Sequence, residues 1–289
     1  MSLRLQRARP WLGTLVEVRV DATDAACARA AIGAAFAEVE AVHSRMSFHE
    51  PDSDLSRLHA AAPGTAVDVD PRTLDVLRCA LELAERSDGH FDPGIGGELV
   101  AQGFLPAPRS PFVPDRRASW RDIELDVGRV RLHRPLWLDL GGIAKGYAVD
   151  RAIERLLAHG ADAALVNAGG DLRAAGAVEE IVQLRGADNS AVAGAVAIRD
   201  AALATSIGAA TRRRCGEAWI GTHLDARDKR PVGLSATASV VAPTCMLADA
   251  LTKVVFAAPV ALTRRVLDHY RAQAVVDEAG TARHYSNAA

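Results

Sequence analysis

The run WLDLGGIAKGYAVDRAIERLLAHGADAALVNAGGD, from Trp137 to Asp171, constrains the fold of this chain more than any other segment. An extended stretch ending at Leu138, Asp139 and Leu140 meets the pair Gly141-Gly142. Ile143, Tyr147, Ile153, Leu156 and Leu157 then recur at helical spacing, which predicts a helix over 143–158 with Gly160 as its stop. Residues 163–166 return as a buried strand, and Asn167 and a second glycine pair precede Asp171. Glycines at a strand-to-helix junction let the backbone approach a ligand closely, while the first helical N–H groups and the helix dipole attract phosphate. Lys145 adds a movable positive charge beside them. The spacing is neither that of a P-loop nor that of a GxGxxG fingerprint. Glycine pairs also serve tight turns, so the residues alone leave a phosphate cradle and a structural turn both open.

The flanking segments mix hairpin-like strands with helices. Strict alternation over 15–20 suits a strand, Asp24 can cap a helix over 25–46, and Ile32, Phe36, Val39 and Val42 form its buried stripe. The polar segment 47–64 reads as a loop with a short helical turn capped by Ser53 or Asp54. Pro71 suits the first position of a helix that Gly89 ends. Residues 112–120 read as irregular. Strands are expected over 123–127 and 130–140, joined at Gly128, and over 181–184, 192–198, 219–224 and 238–242; helices are expected over 244–256 and 260–271. This order favours an α+β fold over a strictly alternating parallel sheet, in one domain over 1–289 or in two intimate lobes.

A net charge of -2 gives no global electrostatic argument for nucleic acid or an anionic membrane surface. Arg212, Arg213 and Arg214 form the densest basic run and read as a solvated loop. Cys27, Cys79, Cys215 and Cys245 show no CxxC pair, hence neither a zinc site nor a disulfide framework. No apolar leader or membrane-length apolar run is read, so a cytoplasmic protein without membrane insertion is expected.

Two further constellations can carry chemistry. On the helix over 244–256, Asp249 and Lys253 lie one turn apart with Thr252 beside them. Oxygen ligands of this kind suit Mg²⁺, and an ordinary i,i+4 ion pair is the competing reading. Thr205, Ser206, Thr222, His223 and Asp225 bring hydroxyl, imidazole and carboxylate groups to loop-like surroundings, with His223 either a general base or a merely satisfied histidine.

In chain order, LGTLVEVRV, MSFHEPDSDLSRL, GHFDP, LDLGGIAKGYAVD, LVNAGGDLRAAG, ATS, LDARDKRPV and SVVAPTCMLADAL resemble the ApbE family of FAD:protein FMN transferases. The resemblance spans nearly the whole chain. It implies a T-fold-related α+β fold with mixed, largely antiparallel sheets and packed helices, and a cleft that takes FAD. It also implies a Mg²⁺-dependent attack by a Thr or Ser hydroxyl of an acceptor protein on the FAD pyrophosphate, leaving FMN attached and releasing AMP.

By position, Leu12, Met46, His49, Ser53, Phe91, Asp92, Asp139, Lys145, Asn167, Asp171, Thr205, Ser206, Leu224 and Asp225 fall on the FAD side of such a site. Gly142, through its carbonyl, with Asp249 and Thr252 falls near the metal, and Asp249 and His223 take the catalytic positions. The active site is divergent. Phe48-His49 stands where the family has Thr-Tyr, His59 where it has Asn, Ile207 where it has Gly, and the histidine of its HIIDPRTG block is displaced to His223. Lys253 stands at a metal-site Thr position, where an ammonium repels Mg²⁺ or replaces its charge. These departures keep two alternatives open, a relative that binds FAD or another nucleotide without transfer and an FAD pyrophosphatase.

Overall fold

In the computed structural model, residues 3–176, 179–186, 192–278 and 280–286 are described. The chain opens with an antiparallel hairpin of β1 (Leu3–Trp11) and β2 (Thr14–Ala22), turned at Leu12 and Gly13, both at positive φ. Strand β1 has no counterpart among the sequence expectations. Its residues are mostly exposed, so it lacks the alternation that marks a half-buried strand. In β2, Val16, Val18, Val20 and Ala22 are fully buried.

Helix α1 (Ala25–Met46) starts at Asp24, whose carboxylate accepts from the Ala26 and Cys27 N–H groups at 2.7 and 2.9 Å. Helix α2 (Asp54–Ala60) takes its cap from Ser53, which accepts from the Ser56 N–H at 3.1 Å. Beyond strand β3 (Ala66–Asp68), helix α3 (Pro71–Arg86) begins after the cap Asp70. The short α4 (Gly96–Ala101) follows, then β4 (Ile123–Asp126) and β5 (Arg129–Leu132). The strand expected over 130–140 stops at Leu132. Pro135 has no N–H to donate, and the later residues are held singly: the Leu138 N–H donates to His59 Nε2 at 2.8 Å and the Asp139 N–H to the Pro93 carbonyl at 2.8 Å.

Helix α5 (Ala144–Ala158) leads to β6 (Ala163–Ala168) and β7 (Asp171–Gly176), whose tight turn is Gly169-Gly170 at φ 67° and 106°. A two-residue hairpin turn with φ positive at both central positions matches strand twist and demands such residues. The hairpin of β8 (Glu180–Arg185) and β9 (Val192–Ile198) precedes β10 (Ala202–Ile207) and the single turn α6 (Gly208–Thr211). The strand expected over 219–224 is two pieces with different partners: β12 (Ala218–Ile220) pairs with β11 (Arg213–Cys215), and β13 (Leu224–Asp225) with β14 (Arg230–Pro231). The chain closes with β15 (Ala236–Ala242), α7 (Cys245–Ala257), α8 (Val260–His269), β16 (Gln273–Glu278) and β17 (Thr281–Tyr285).

These strands build an eight-stranded antiparallel sheet in the order β1-β2-β6-β7-β10-β15-β16-β17. Helices α1, α5 and α7 pack on one face, and the β8–β9 hairpin covers part of the other through Leu172, Ala174, Ile198 and Leu203. Helices α2 and α3 and the small β3-β5-β4 sheet share one buried apolar cluster with the main layer. Asp150 on α5 is buried and accepts from the Cys245 and Met246 N–H groups, at 2.9 and 2.8 Å, and from Arg173 on β7 at 2.8 Å. Among the described residues, no helix is long and apolar enough to cross a membrane.

The His59 ring is only 3% exposed, and burial pushes its pKa down to about 4. The unfolded chain protonates histidine near 6.5, so this contribution to stability is complete above that pH and is lost as pH falls toward 4. Unfolding in urea is expected to show about 3 kcal/mol less stability at pH 4 than at pH 7 from this group. His59→Asn, which keeps a carbonyl acceptor for Leu138, removes that part of the slope. An unchanged slope in the variant would discard the assignment.

Candidate active site

Four charged side chains meet where the first turn of α5, the start of β7 and the middle of α7 come together. They are Lys145, Asp171, Asp249 and Lys253. The meeting depends on Gly146. A Cβ there would lie 2.2 Å from the Cys245 carbonyl oxygen, so only glycine lets α5 and α7 approach this closely.

Asp249 has no solvent exposure. Its Oδ2 accepts from the Gly146 N–H at 3.3 Å and from Lys145 Nζ at 3.4 Å, and its Oδ1 from Lys253 Nζ. Lys145 also pairs with Asp171. Burial by itself raises the Asp249 carboxyl. The Lys145 and Lys253 ammoniums outweigh it and hold the group below its ordinary value, ionised at the positive end of α5. Burial likewise lowers Lys145, and Asp249 and Asp171 overturn that effect and hold it well above the usual lysine range. Asp171 is raised by burial and by the Asp249 charge.

Around Lys253, Nζ donates to the Asp249 carbonyl at 3.0 Å and to Ser206 Oγ at 3.3 Å. The lysine stem lies over Gly142, where a Cβ would come within 3.2 Å of Lys253 Cε. Thr252 is fully buried and turned inward, its hydroxyl donating to the Asp249 carbonyl at 2.7 Å and bonding Ser206 Oγ at 2.8 Å. On β10, Thr205 Oγ1 bonds Ser239 Oγ of β15 at 3.0 Å.

Above this cluster opens a cleft of about 440 Å³. Of the residues singled out in the sequence, Phe91, Asp92, Asp139, Gly142, Lys145, Thr205, Ser206, Thr222, His223, Leu224 and Lys253 line it. Asp139 is raised by burial and accepts from the Gly141 N–H at 3.0 Å. Asp92, also raised by burial, accepts from the Gly94 and Trp120 N–H groups at 2.7 and 3.0 Å. Burial, with Lys253 and Lys145 nearby, pushes His223 down to about 3, which leaves a neutral ring and a poor proton acceptor.

Other expected residues stand behind the lining. Asp171, Asp249 and Thr252 form the layer beneath Lys145 and Lys253. Asp225 holds His90 Nδ1 at 2.9 Å, and Asn167 accepts from the Gly170 N–H at 2.9 Å inside the hairpin turn. Leu12 sits in the β1–β2 turn, Met46 is packed in the core, Ser53 caps α2, and His49 is exposed. The cleft also has an apolar wall unread in the sequence, formed by Ile95, Leu99, Phe104 and Leu105. The short α4 that carries part of it lies in GIGGELVAQGF, too brief for a period to show. A larger hollow of about 550 Å³ lies on the opposite face of the sheet, between the β8–β9 hairpin and β15 to β17, away from the charged cluster. Chemistry rather than volume selects the first.

The Mg²⁺ implied by the sequence resemblance does not fit the side chains as they stand. Both Asp249 oxygens are engaged, the Thr252 hydroxyl donates to backbone, and an ammonium stands among the remaining oxygens. Among the described residues, no group of three or more His, Cys, Asp or Glu side chains is placed to hold a metal.

The chain is similar to solved and curated proteins. The crystal structure of the ApbE protein of Thermotoga maritima matches with a TM-score of 0.83 over 99% of this chain and 97% of that one, at 24% identity, which speaks for the fold. The FAD:protein FMN transferase of Treponema pallidum is 35% identical over 185 residues, 59% of this chain and 51% of that protein. That of Rhodobacter capsulatus is 33% identical over 253 residues, 82% of this chain and 48% of that protein. The chain spans about half the length of these curated relatives. The ApbE family model itself matches residues 12–276, a span holding β2, the lysine-bearing helices and every wall of the cleft, and the chain belongs to the ApbE family.

Proposed function

We propose that the chain is an FAD:protein FMN transferase, acting on a Thr or Ser hydroxyl of an acceptor protein. The observation that carries this reading is one cleft with two chemistries. Its floor holds the Lys145 and Lys253 ammoniums beside the N-terminus of α5, and its wall is apolar and aromatic at Phe91, Leu99 and Phe104. A dinucleotide with a pyrophosphate and flat rings meets both demands. The names of the curated relatives point the same way.

In the reaction, the acceptor hydroxyl oxygen attacks the phosphorus of the FMN half. A new P–O bond forms as the bond from that phosphorus to the bridging oxygen breaks, and AMP leaves with that oxygen. Lys145 and Lys253 stabilise the charge that develops on the phosphate oxygens, which is where fixed charges in a dry site act most strongly. Asp139, at the cleft and raised by burial, is suited to take the hydroxyl proton. In this reading His223, held neutral by burial, is a weak base, and Asp249, buried beneath the lysines, positions them.

Incubation of the protein with FAD and an acceptor domain is expected to give covalent yellow fluorescence on the acceptor and an equivalent of AMP. Bound FAD without label or AMP would assign a binding protein instead. FMN and AMP without label would assign a pyrophosphatase.

A further inference from the structure

We infer that Lys253 is a built-in substitute for a divalent cation, so that this chain holds the FAD pyrophosphate without metal. The inference rests on the reading of the cleft as an FAD site. Lys253 Nζ is surrounded by the Asp249 carboxylate, the Asp249 carbonyl at 3.0 Å and Ser206 Oγ at 3.3 Å. Carboxylate, carbonyl and hydroxyl oxygens are the ligands a hard cation takes, and here they are turned on an ammonium. The lysine stem passes over Gly142, where a Cβ would crowd Lys253 Cε at 3.2 Å.

The charge balance agrees. Asp249 and Asp171 supply two negative charges and Lys145 and Lys253 two positive ones. A divalent ion entering this neutral set would find both ammoniums already paired with the carboxylate it needs. A pyrophosphate, by contrast, meets two cations that both line the cleft. Lysine serves phosphate as a compact point charge with three donors.

The test is FAD binding followed by flavin fluorescence, with ADP as a competing pyrophosphate probe, in EDTA and again in Mg²⁺. Wild-type protein is expected to bind both with affinities that agree within about twofold between the two buffers. Lys253→Thr is expected to bind FAD about tenfold or more weakly in EDTA and to recover most of that in Mg²⁺. Lys253→Arg, which keeps the charge, is expected to bind in EDTA, and a melting curve for each variant confirms that it is folded. A wild-type affinity that rises about tenfold or more with Mg²⁺ overturns the inference alone. So does a folded Lys253→Thr that binds as tightly as wild type in EDTA. Wild-type protein that binds FAD in neither buffer overturns the flavin reading and the inference with it.

Discussion

Replacing Lys145 by Ala is expected to abolish measurable FAD binding and to cost about 3 kcal/mol of stability at pH 7, because it strips a cation from two buried carboxylates. Asp249 and Asp171 are 0% and 4% exposed, and Lys145 is the side chain that touches both. Without it, each carboxylate raises the other. The sign of the pH dependence then separates this cause from simple loss of packing. In the wild-type protein Asp249 lies below its ordinary value, so its contribution is present above the usual carboxylate range and is lost as pH falls through it. In the variant, Asp171 lies further above its ordinary value, so folded protein takes up a proton more readily than unfolded chain and stability is regained as pH falls from 7 toward 5. Urea unfolding at the two pH values decides it. A variant as stable as wild type at pH 7, or one that weakens further at pH 5, would rule out a charge origin.

Gly146→Ala is expected to be as damaging, though helix propensity alone would favour alanine by about 1 kcal/mol. The added methyl would stand 2.2 Å from the Cys245 oxygen, 2.5 Å from its carbonyl carbon and 2.7 Å from the Met246 nitrogen, all backbone atoms that cannot rotate away. Helix α7 must therefore move, and Asp249 and Lys253 move with it. A loss of about 3 kcal/mol is expected, together with loss of FAD binding. The thermal midpoint and a binding titration check both parts, and a midpoint at or above wild type would refute the tight crossing.

How much of this was legible beforehand varies with the kind of signal. Helix α1 was readable at both ends, because Asp24 is a cap by chemistry and the apolar stripe behind it is periodic. The Asp249 and Lys253 pairing followed from one turn of helix. Lys145 and Asp171, by contrast, lie far from Asp249 in sequence, and spacing carries no trace of that contact; only the order of motif blocks put them in one cleft. Thr252 shows a local effect that spacing does not reveal. Its position suggested a ligand, but a mid-helix threonine can bond back to the carbonyl three residues earlier, and this one does. The β1 strand and the α4 wall escaped because neither carries a period long enough to read.

The poor alternation that hid β1 has a second effect. As the first strand of the eight-stranded sheet, it offers one open row of backbone groups to any neighbouring chain. Arg7 adds positive charge to that strand, Pro10 removes one donor from it, and Arg4 and Arg9 are held on its inner side, Arg4 to Asp21 by two 2.8 Å bonds and Arg9 over the Phe36 ring. Such features are how sheet rims are kept from recruiting another molecule. A twin arriving rim to rim would bring Arg7 against its own likeness and find the Pro10 donor missing, so growth of the sheet into fibres is opposed at its first step.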